Sequence, residues 1–286
     1  MDLSVVGKTD AFRLIDGEGD DLPGIELETF ADRWLLSTRD VSIPAEMLAR
    51  LKRSGHSLYH KRLDQHQKES PVHLAGPAVT DSFLIQENGL NFEISFQSGY
   101  SQGIFLDQRD NRLALRRRLG PGKSLLNTFA YTGAFSIAGA AAGATTTTLD
   151  LSQPYLDWAK RNLAHNNLDP ADHFFCKGDT FHWLGRFAKQ GRTFDAIVLD
   201  PPTFSRDKNG KVFRVESDYG HLAAMAAKCL APGGVLLAST NCRQLSTPQF
   251  LRQLREAIPR GKSFTASPMP PDFTGESYLK SVWVEV

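Results

Sequence analysis

The amino-acid sequence predicts an α/β protein: a small α/β N-terminal region, then a mostly parallel sheet with helices on both faces and a last strand that runs antiparallel. Three observations carry this. From about residue 107, short apolar runs alternate with helical stretches, the rhythm of a parallel sheet, in which each strand needs a crossover before the next. Before it, residues 9–39 alternate apolar runs with the turn cluster DGEGDDLPG. After it, KSFTA and SYLKSVWVEV read as two strands with no helix between them, so the last one pairs antiparallel beside its neighbours.

In chain order, IPAEMLARLKRS reads as a helix with Pro44 near its first turn, where a missing N–H costs nothing. The polar YHKRLDQHQKES and the Pro/Gly-bearing SPVHLAGPA follow, and place a boundary near residue 78. FLIQENGLNFEISF is a hairpin turning at Asn88-Gly89. The expected organisation is thus residues 1–78 as a small α/β domain, 79–106 as hairpin and connection, and 107–286 as the larger α/β domain. There, DQRDNRLALRRRL is helical, SLLNTF a strand, GAFSIAGAAAGA a small-residue helix and TTTTLD a β-branched strand. Ser152 is expected to cap QPYLDWAKRNLAHNN, which carries Pro154 in its first turn. HFFCKGD, FDAIVLD and GVLLAST are three further strands.

The chain has 286 residues, 41% hydrophobic, with 33 Lys and Arg against 32 Asp and Glu. This is ample for a globular core, and the net charge of +1 gives no global signature of nucleic-acid binding. The cysteines Cys176, Cys229 and Cys242 lie far apart with no C-x-x-C pair, which argues against zinc and against a disulfide framework. The first residues lack the basic-then-apolar pattern of a signal peptide, and no apolar run reaches the ~18 residues of a membrane span. The expectation is a cytoplasmic protein without metal or membrane attachment.

In an open parallel sheet the informative residues follow the strands. Here they are NTFAYTG (127–133), Asp150, Asp179, DPPTF (200–204) and TNCR (240–243). The first loop, with Phe129, Tyr131, Thr132 and Gly133, lacks the G-x-G-x-x-G fingerprint, so a pyrophosphate-bearing dinucleotide is disfavoured and a phosphate-free nucleoside cofactor fits better. Asp150, followed by Leu151 and Ser152, can accept hydrogen bonds from both ribose hydroxyls. Asp179, followed by Thr180 and Phe181, offers a carboxylate for an adenine amino group and a ring to pack on. In DPPTF, Pro201 and Pro202 fix φ and remove two backbone donors. Asp200 can accept from a base amino or imino group, and Phe204 can stack on a base.

These residues together resemble a class I S-adenosylmethionine-dependent methyltransferase of the ribosomal RNA large-subunit methyltransferase family. That group includes cytosine-carbon-5 enzymes and the guanine-nitrogen-7 half of a bifunctional RNA methyltransferase. The carrying motifs are GIFLDQRDNR (103–112), LLNTFAYTGAFSI (125–137), TTLDLSQPYLDWAKRN (147–162), FDAIVLDPPTF (194–204) and LAPGGVLLASTNCR (230–243), with FRLIDGEGDDLPG (12–24) similar to the family's small N-terminal domain. The resemblance implies a Rossmann-like class I methyltransferase sheet that binds S-adenosyl-L-methionine and releases S-adenosyl-L-homocysteine. Asp150 and Asp179 would hold ribose and adenine, the Tyr131–Gly133 turn would border the methionine portion, DQR (Asp107, Gln108 and Arg109) would lie over it, and DPPTF would face the target base, with Asp200 also at the cofactor. Ribosomal RNA is the implied partner, with a homodimer as the assembly to test. Arg109, Arg112 and Arg116 have helical spacing that would form either a basic stripe or, with Arg117 and Arg118, a solvated face.

Methylation of cytosine carbon 5 needs a thiolate that adds to the ring. In the cytosine-modifying enzymes that the chain resembles, the cysteine sits in the loop after this strand. Counted from Gly234, the resemblance implies that nucleophile at Asn241, one residue before Cys242, and one step along an extended chain reverses the side chain's direction. Cys242 is therefore read at the lip of the site, with Asn241 better placed, in an arrangement closer to the guanine-modifying relatives. Cys176 and Cys229 are read as core filler. The rival functions are a small-molecule methyltransferase and a noncatalytic RNA-binding module; a nicotinamide dehydrogenase is weakest, for want of the glycine fingerprint.

Overall fold

The computed structural model describes residues 8–64, 69–99, 101–206 and 212–286, the side chains at 204–206 and 212 excepted. The chain divides into two compact units, residues 1–110 with 269–277, and residues 111–268 with 278–286.

In the first unit, β1 (Ala11–Asp16), β2 (Ile25–Phe30), β3 (Arg33–Thr38), α1 (Ala45–Arg53), β4 (Ser57–Arg62) and β5 (Val72–Ala75) build a sheet whose spatial order is the chain order. Only β3 and β4 run parallel, and α1 makes the crossover that a parallel pair requires. Alternation along the strands buries Ile25, Leu27, Leu36 and Leu58 against Met47, Leu48 and Leu51 of α1. The sequence placed no strand in the polar stretch that forms β4 and β5. β6 (Phe83–Glu87) and β7 (Leu90–Ile94) form the expected hairpin, with Asn88 and Gly89 both at positive φ, 50° and 76°, the turn that Asn-Gly favours. Asp272 is buried, accepts from the Arg13 N–H at 2.9 Å and forms a two-point ion pair with buried Arg109.

The second unit starts within α2 (Arg109–Arg118). It continues through β8 (Ser124–Thr128), α3 (Ala134–Ala141), β9 (Thr145–Asp150), α4 (Gln153–Ala164), β10 (Phe174–Lys177), α5 (Thr180–Lys189) and β11 (Phe194–Leu199). A short ribbon, β12 (Phe204–Arg206) and β13 (Val212–Arg214), precedes α6 (Val215–Ala227), β14 (Leu230–Thr240), α7 (Thr247–Ala257), β15 (Ser263–Ser267) and β16 (Lys280–Glu285). The seven-stranded sheet has the order β10-β9-β8-β11-β14-β16-β15. Its first five members are parallel, and β16 is antiparallel to both neighbours, as the sequence predicts. Successive strand residues point to opposite faces. Leu126, Ile197, Leu199, Leu236 and Val282 meet Leu184, Tyr219, Leu222 and Phe250 on one side. Leu125, Ala196, Val198, Leu237 and Trp283 meet Leu115 and Phe135 on the other. Cys176 and Cys229 sit in the first of these cores. Among the described residues no helix is long and apolar enough to cross a membrane.

Gly133 is the glycine whose position is most demanding. Its φ is +79°, and a Cβ there would stand 2.6 Å from the Cβ of Ala159 on α4. Gly133→Ala combines a left-handed backbone penalty with a clash against a packed helix. The expected loss is about 2 kcal/mol of stability, read by urea denaturation, with an unchanged m value.

Candidate active site

Ligands of open sheets gather beyond the carboxyl ends of the strands, at the point where strand order reverses. That point lies between β8 and β11: the sheet runs from β8 to β9 and β10 on one side and from β11 to β14 on the other. Register brings the strand ends level, because Thr128 pairs with both Leu149 and Leu199. Asp150 and Asp200 are therefore the next residues on the two strands flanking β8. With strands ~4.8 Å apart, their Cα atoms stand roughly 10 Å from each other, with Phe129 between them. The Thr128 hydroxyl donates to the Val198 carbonyl at 2.7 Å and staples β8 to β11 just below this level.

The loop after β8 is held in a strained shape. Phe129 and Tyr131 have φ of 50° and 51°, a region that costs bulky residues of order 1–3 kcal/mol, and Gly133 follows at 79°. Among the contacts that hold it there are three hydrogen bonds. The Tyr131 N–H donates to Asp150 Oδ2 at 2.9 Å, the Gly133 N–H to the Ala130 carbonyl at 2.8 Å, and buried Asn162 on α4 donates to the Thr132 carbonyl at 3.0 Å. Tyr131 also meets Tyr155 edge-on, with ring centres 4.6 Å apart. Nothing in the sequence around Asn162 marks it for this role. Its function depends on a carbonyl 30 residues away, which no local pattern reveals.

Asp150 accepts from the Ser152 N–H at 2.8 Å through its other oxygen. Ser152 does occupy the cap position of α4, but its hydroxyl makes no capping bond; its own N–H is what the carboxylate two residues earlier takes up. Each Asp150 oxygen still has a lone pair for a ligand. Burial raises the Asp150 carboxyl above its ordinary range, opposed by the N–H groups of Ser152, Tyr131 and Leu151. The next side chain, Leu151, is 63% exposed, an apolar surface beside a hydrogen-bonding carboxylate. Asp179 caps α5 through the His182 N–H at 2.9 Å and is otherwise exposed, while Thr180 is buried. The Phe181 ring lies parallel to His221 and edge-on to Phe213.

Across the switch point, the Tyr219 hydroxyl donates to the Leu199 carbonyl at 2.9 Å and fixes the residue before Asp200. Burial, with the neighbouring Asp200 charge adding to it, pushes the Tyr219 phenol well above its usual value, so it stays a donor. Pro201 is buried and Pro202 exposed. The Thr203 hydroxyl donates to Oδ1 of exposed Asn241 at 2.7 Å and joins the turn after β11 to the turn after β14. Phe204 opens β12, and its ring lies outside the described side chains.

Cys242 is placed differently from its reading at the lip. It is fully buried in the core of the second unit, with Sγ 3.4 Å from Oε1 of Glu216 and of Gln244. Burial raises its thiol, and the Glu216 carboxylate raises it further, so the thiolate that ring addition needs is disfavoured. Cys242→Ala is expected to retain methyl transfer in a filter-binding assay and to leave no difference in adducts trapped on fluorocytosine-containing RNA. Loss of both would restore it as nucleophile.

α2, open in the sequence to a basic stripe or a solvated face, does not expose the arginines at its start. Arg109 and Arg112 are buried, Arg109 is taken up by Asp272, and Arg112 lies over Phe135; Arg117 and Arg118 are exposed. For Arg109 the reason is a partner 163 residues away in sequence. Gln108 is buried in a single 3-10 turn within the first unit.

Residues 51–276 match the model of a family described as S-adenosylmethionine-dependent methyltransferase. The chain belongs to that family. Among its relatives, a ribosomal RNA large subunit methyltransferase of Deinococcus radiodurans is 30% identical over 99% of this chain and 74% of its own length. Ribosomal RNA large subunit methyltransferase I of Shewanella denitrificans is 35% identical over 86% of this chain and 64% of its own. The chain spans about two thirds of the length of such curated relatives, 63% and 64% in two of them and 74% in another. The crystal structure of SMU.776 complexed with S-adenosylhomocysteine is 32% identical, with a TM-score of 0.88 over 98% of this chain and 76% of that one. The class I methyltransferase fold expected from the sequence is thus the fold of the chain.

Proposed function

We propose that this chain transfers a methyl group from S-adenosylmethionine to a base of large-subunit ribosomal RNA. The observation that carries the reading is the pair of carboxylates, Asp150 and Asp200, level with each other on either side of the switch point. The residues present suit an adenosyl group: Asp150 keeps lone pairs for two ribose hydroxyls, Leu151 offers an apolar surface, Asp179 has an exposed carboxylate for the adenine amino group, and the Phe129–Gly133 loop has no stacked glycines for a pyrophosphate. When bound, S-adenosylmethionine supplies a methyl group on a positively charged sulfur.

The chain's own contribution is alignment. Asp200 accepts from an N–H of the acceptor base, Pro201 and Pro202 hold the turn, and Asn241, tied to Thr203, faces the base from the neighbouring strand. Such orientation can account for roughly 7–11 kcal/mol of barrier lowering. A base inside an RNA helix must first leave its stack, and Phe204 is the assigned stacking partner. The buried Cys242 supports an acceptor that already has a lone pair, such as guanine nitrogen 7, over cytosine carbon 5, which needs thiolate activation. The N-terminal α/β unit, with exposed Arg50, Lys52 and Arg53 at the end of α1, is assigned to RNA contact.

The test is incubation with labelled S-adenosylmethionine and large-subunit RNA, naked or in particles, followed by mass mapping of nucleosides. Label in one modified base, most directly 7-methylguanosine, is expected. Label confined to small metabolites would overturn the RNA assignment.

A further inference from the structure

We propose that Lys280 is the positioning residue for the acceptor-facing loop after β14, a role that rests on the reading of Asn241 above. Lys280 opens β16 and pairs across the sheet with Thr240, the last residue of β14. Its side chain is buried, yet among the described residues no carboxylate pairs with it. Instead its ammonium donates to the carbonyls of Cys242 at 2.9 Å and of Tyr278 at 3.0 Å. A buried cation without a counter-ion is unfavourable, and packing of the last strand would be served as well by an apolar side chain. What the ammonium does that methyl groups cannot is hold two carbonyls at once.

Its consequence falls on Asn241. On one side, Thr240 is locked into β14, and its Oγ1 accepts the Cys242 N–H at 3.1 Å. On the other, the Cys242 carbonyl is fixed by Lys280. The backbone of Asn241 therefore lies between two clamped neighbours, while Thr203 holds its side chain from the turn after β11. Lys280 touches neither substrate nor cofactor in this account. It sets the direction in which Asn241 leaves the sheet, and with it the register between that amide and Asp200.

The experiment compares Lys280→Met, which keeps the aliphatic stem, with Lys280→Arg, whose guanidinium can still reach two carbonyls. In Lys280→Met, amide exchange over residues 241–246 should accelerate roughly 10- to 100-fold, with β14 and β16 exchanging as before. S-adenosylhomocysteine affinity should be unchanged, and kcat for RNA methylation should fall about 10²-fold with little change in KM. Lys280→Arg should restore most of both, and Lys280→Met should cost nothing further in an Asn241→Ala background. Faster exchange throughout the strands, parallel loss of S-adenosylhomocysteine affinity, or an undiminished cost in Asn241→Ala would overturn the proposal. Should Lys280→Met not fold, Lys280→Gln, which keeps one donor group, should give an intermediate acceleration, and none would count against it. The exchange measurement needs no substrate, so if the wild-type chain methylates no RNA the functional reading falls while Lys280 is still judged.

Discussion

Asp200→Ala should lower methylation by ~10²–10³-fold, the cost of one preorganised group aimed at the reacting centre, while S-adenosylhomocysteine titrates in calorimetry as it does with the unaltered chain. Asp200 follows Leu199, whose carbonyl is fixed by Tyr219, and is half-buried at the end of β11. Its backbone placement is set by the strand and the two prolines, so removing the carboxylate leaves the turn in place. In the proposed chemistry it accepts an N–H of the acceptor base, and its loss therefore acts on the acceptor alone. Weakened cofactor binding with unchanged turnover per bound complex would move Asp200 to the cofactor side of the site.

The second large effect belongs to Asp150. Two ribose hydroxyls donating to a carboxylate are charge-assisted bonds, so Asp150→Asn should weaken S-adenosylhomocysteine binding by ~10²–10³-fold. The same group predicts a pH dependence. Burial holds its carboxyl above the ordinary aspartate value of 3.8 in the free protein. Hydroxyl donors favour the ionised form, so the bound pKa lies below the free one. Affinity is therefore full on the alkaline side and falls as pH drops through the free-protein pKa, beginning higher than for an ordinary aspartate, with proton release on binding in that range. Calorimetry in buffers of different ionisation enthalpy reads both. An affinity that is flat with pH, or equal in Asp150→Asn, would separate Asp150 from the ribose.

What could be read from the sequence was whatever depends on local periodicity. FDAIVL and GVLLAS are strands buried on both faces, hence the continuous apolar runs, and KSFTA with SYLKSVWVEV lacks the helix that a parallel crossover needs, so the antiparallel end of the sheet followed. β4 was missed because its second half, His60 to Arg62, is polar, and β5 because it is only four residues long. Ser152 was read as the cap by residue preference. Its backbone does stand at the cap position, but its hydroxyl makes no capping bond, and Asp150, two residues earlier, takes up its N–H.

The site was legible as a set of strand ends but not as a network. Asn162, Tyr219 and Lys280 each act on a carbonyl at a sequence distance of 20 residues or more, and nothing local distinguishes them from ordinary core residues. Arg109 and Arg112 were open to a basic stripe or a solvated face because arginine normally seeks water; Arg109 is buried because Asp272 neutralises it from a distant segment. Cys242 shows the limit of counting along a chain. A one-residue offset sets it apart from Asn241 in the sequence, but only the packing of Glu216, Gln244 and the surrounding core shows that its sulfur turns inward.

The most direct trial of the central claim is a crystal structure of this chain with S-adenosylhomocysteine. Both ribose hydroxyls should lie within hydrogen-bond distance of the Asp150 carboxylate, with the sulfur directed toward Asp200. Density for the adenosyl group at another edge of the sheet, or a ribose with no contact to Asp150, would contradict it.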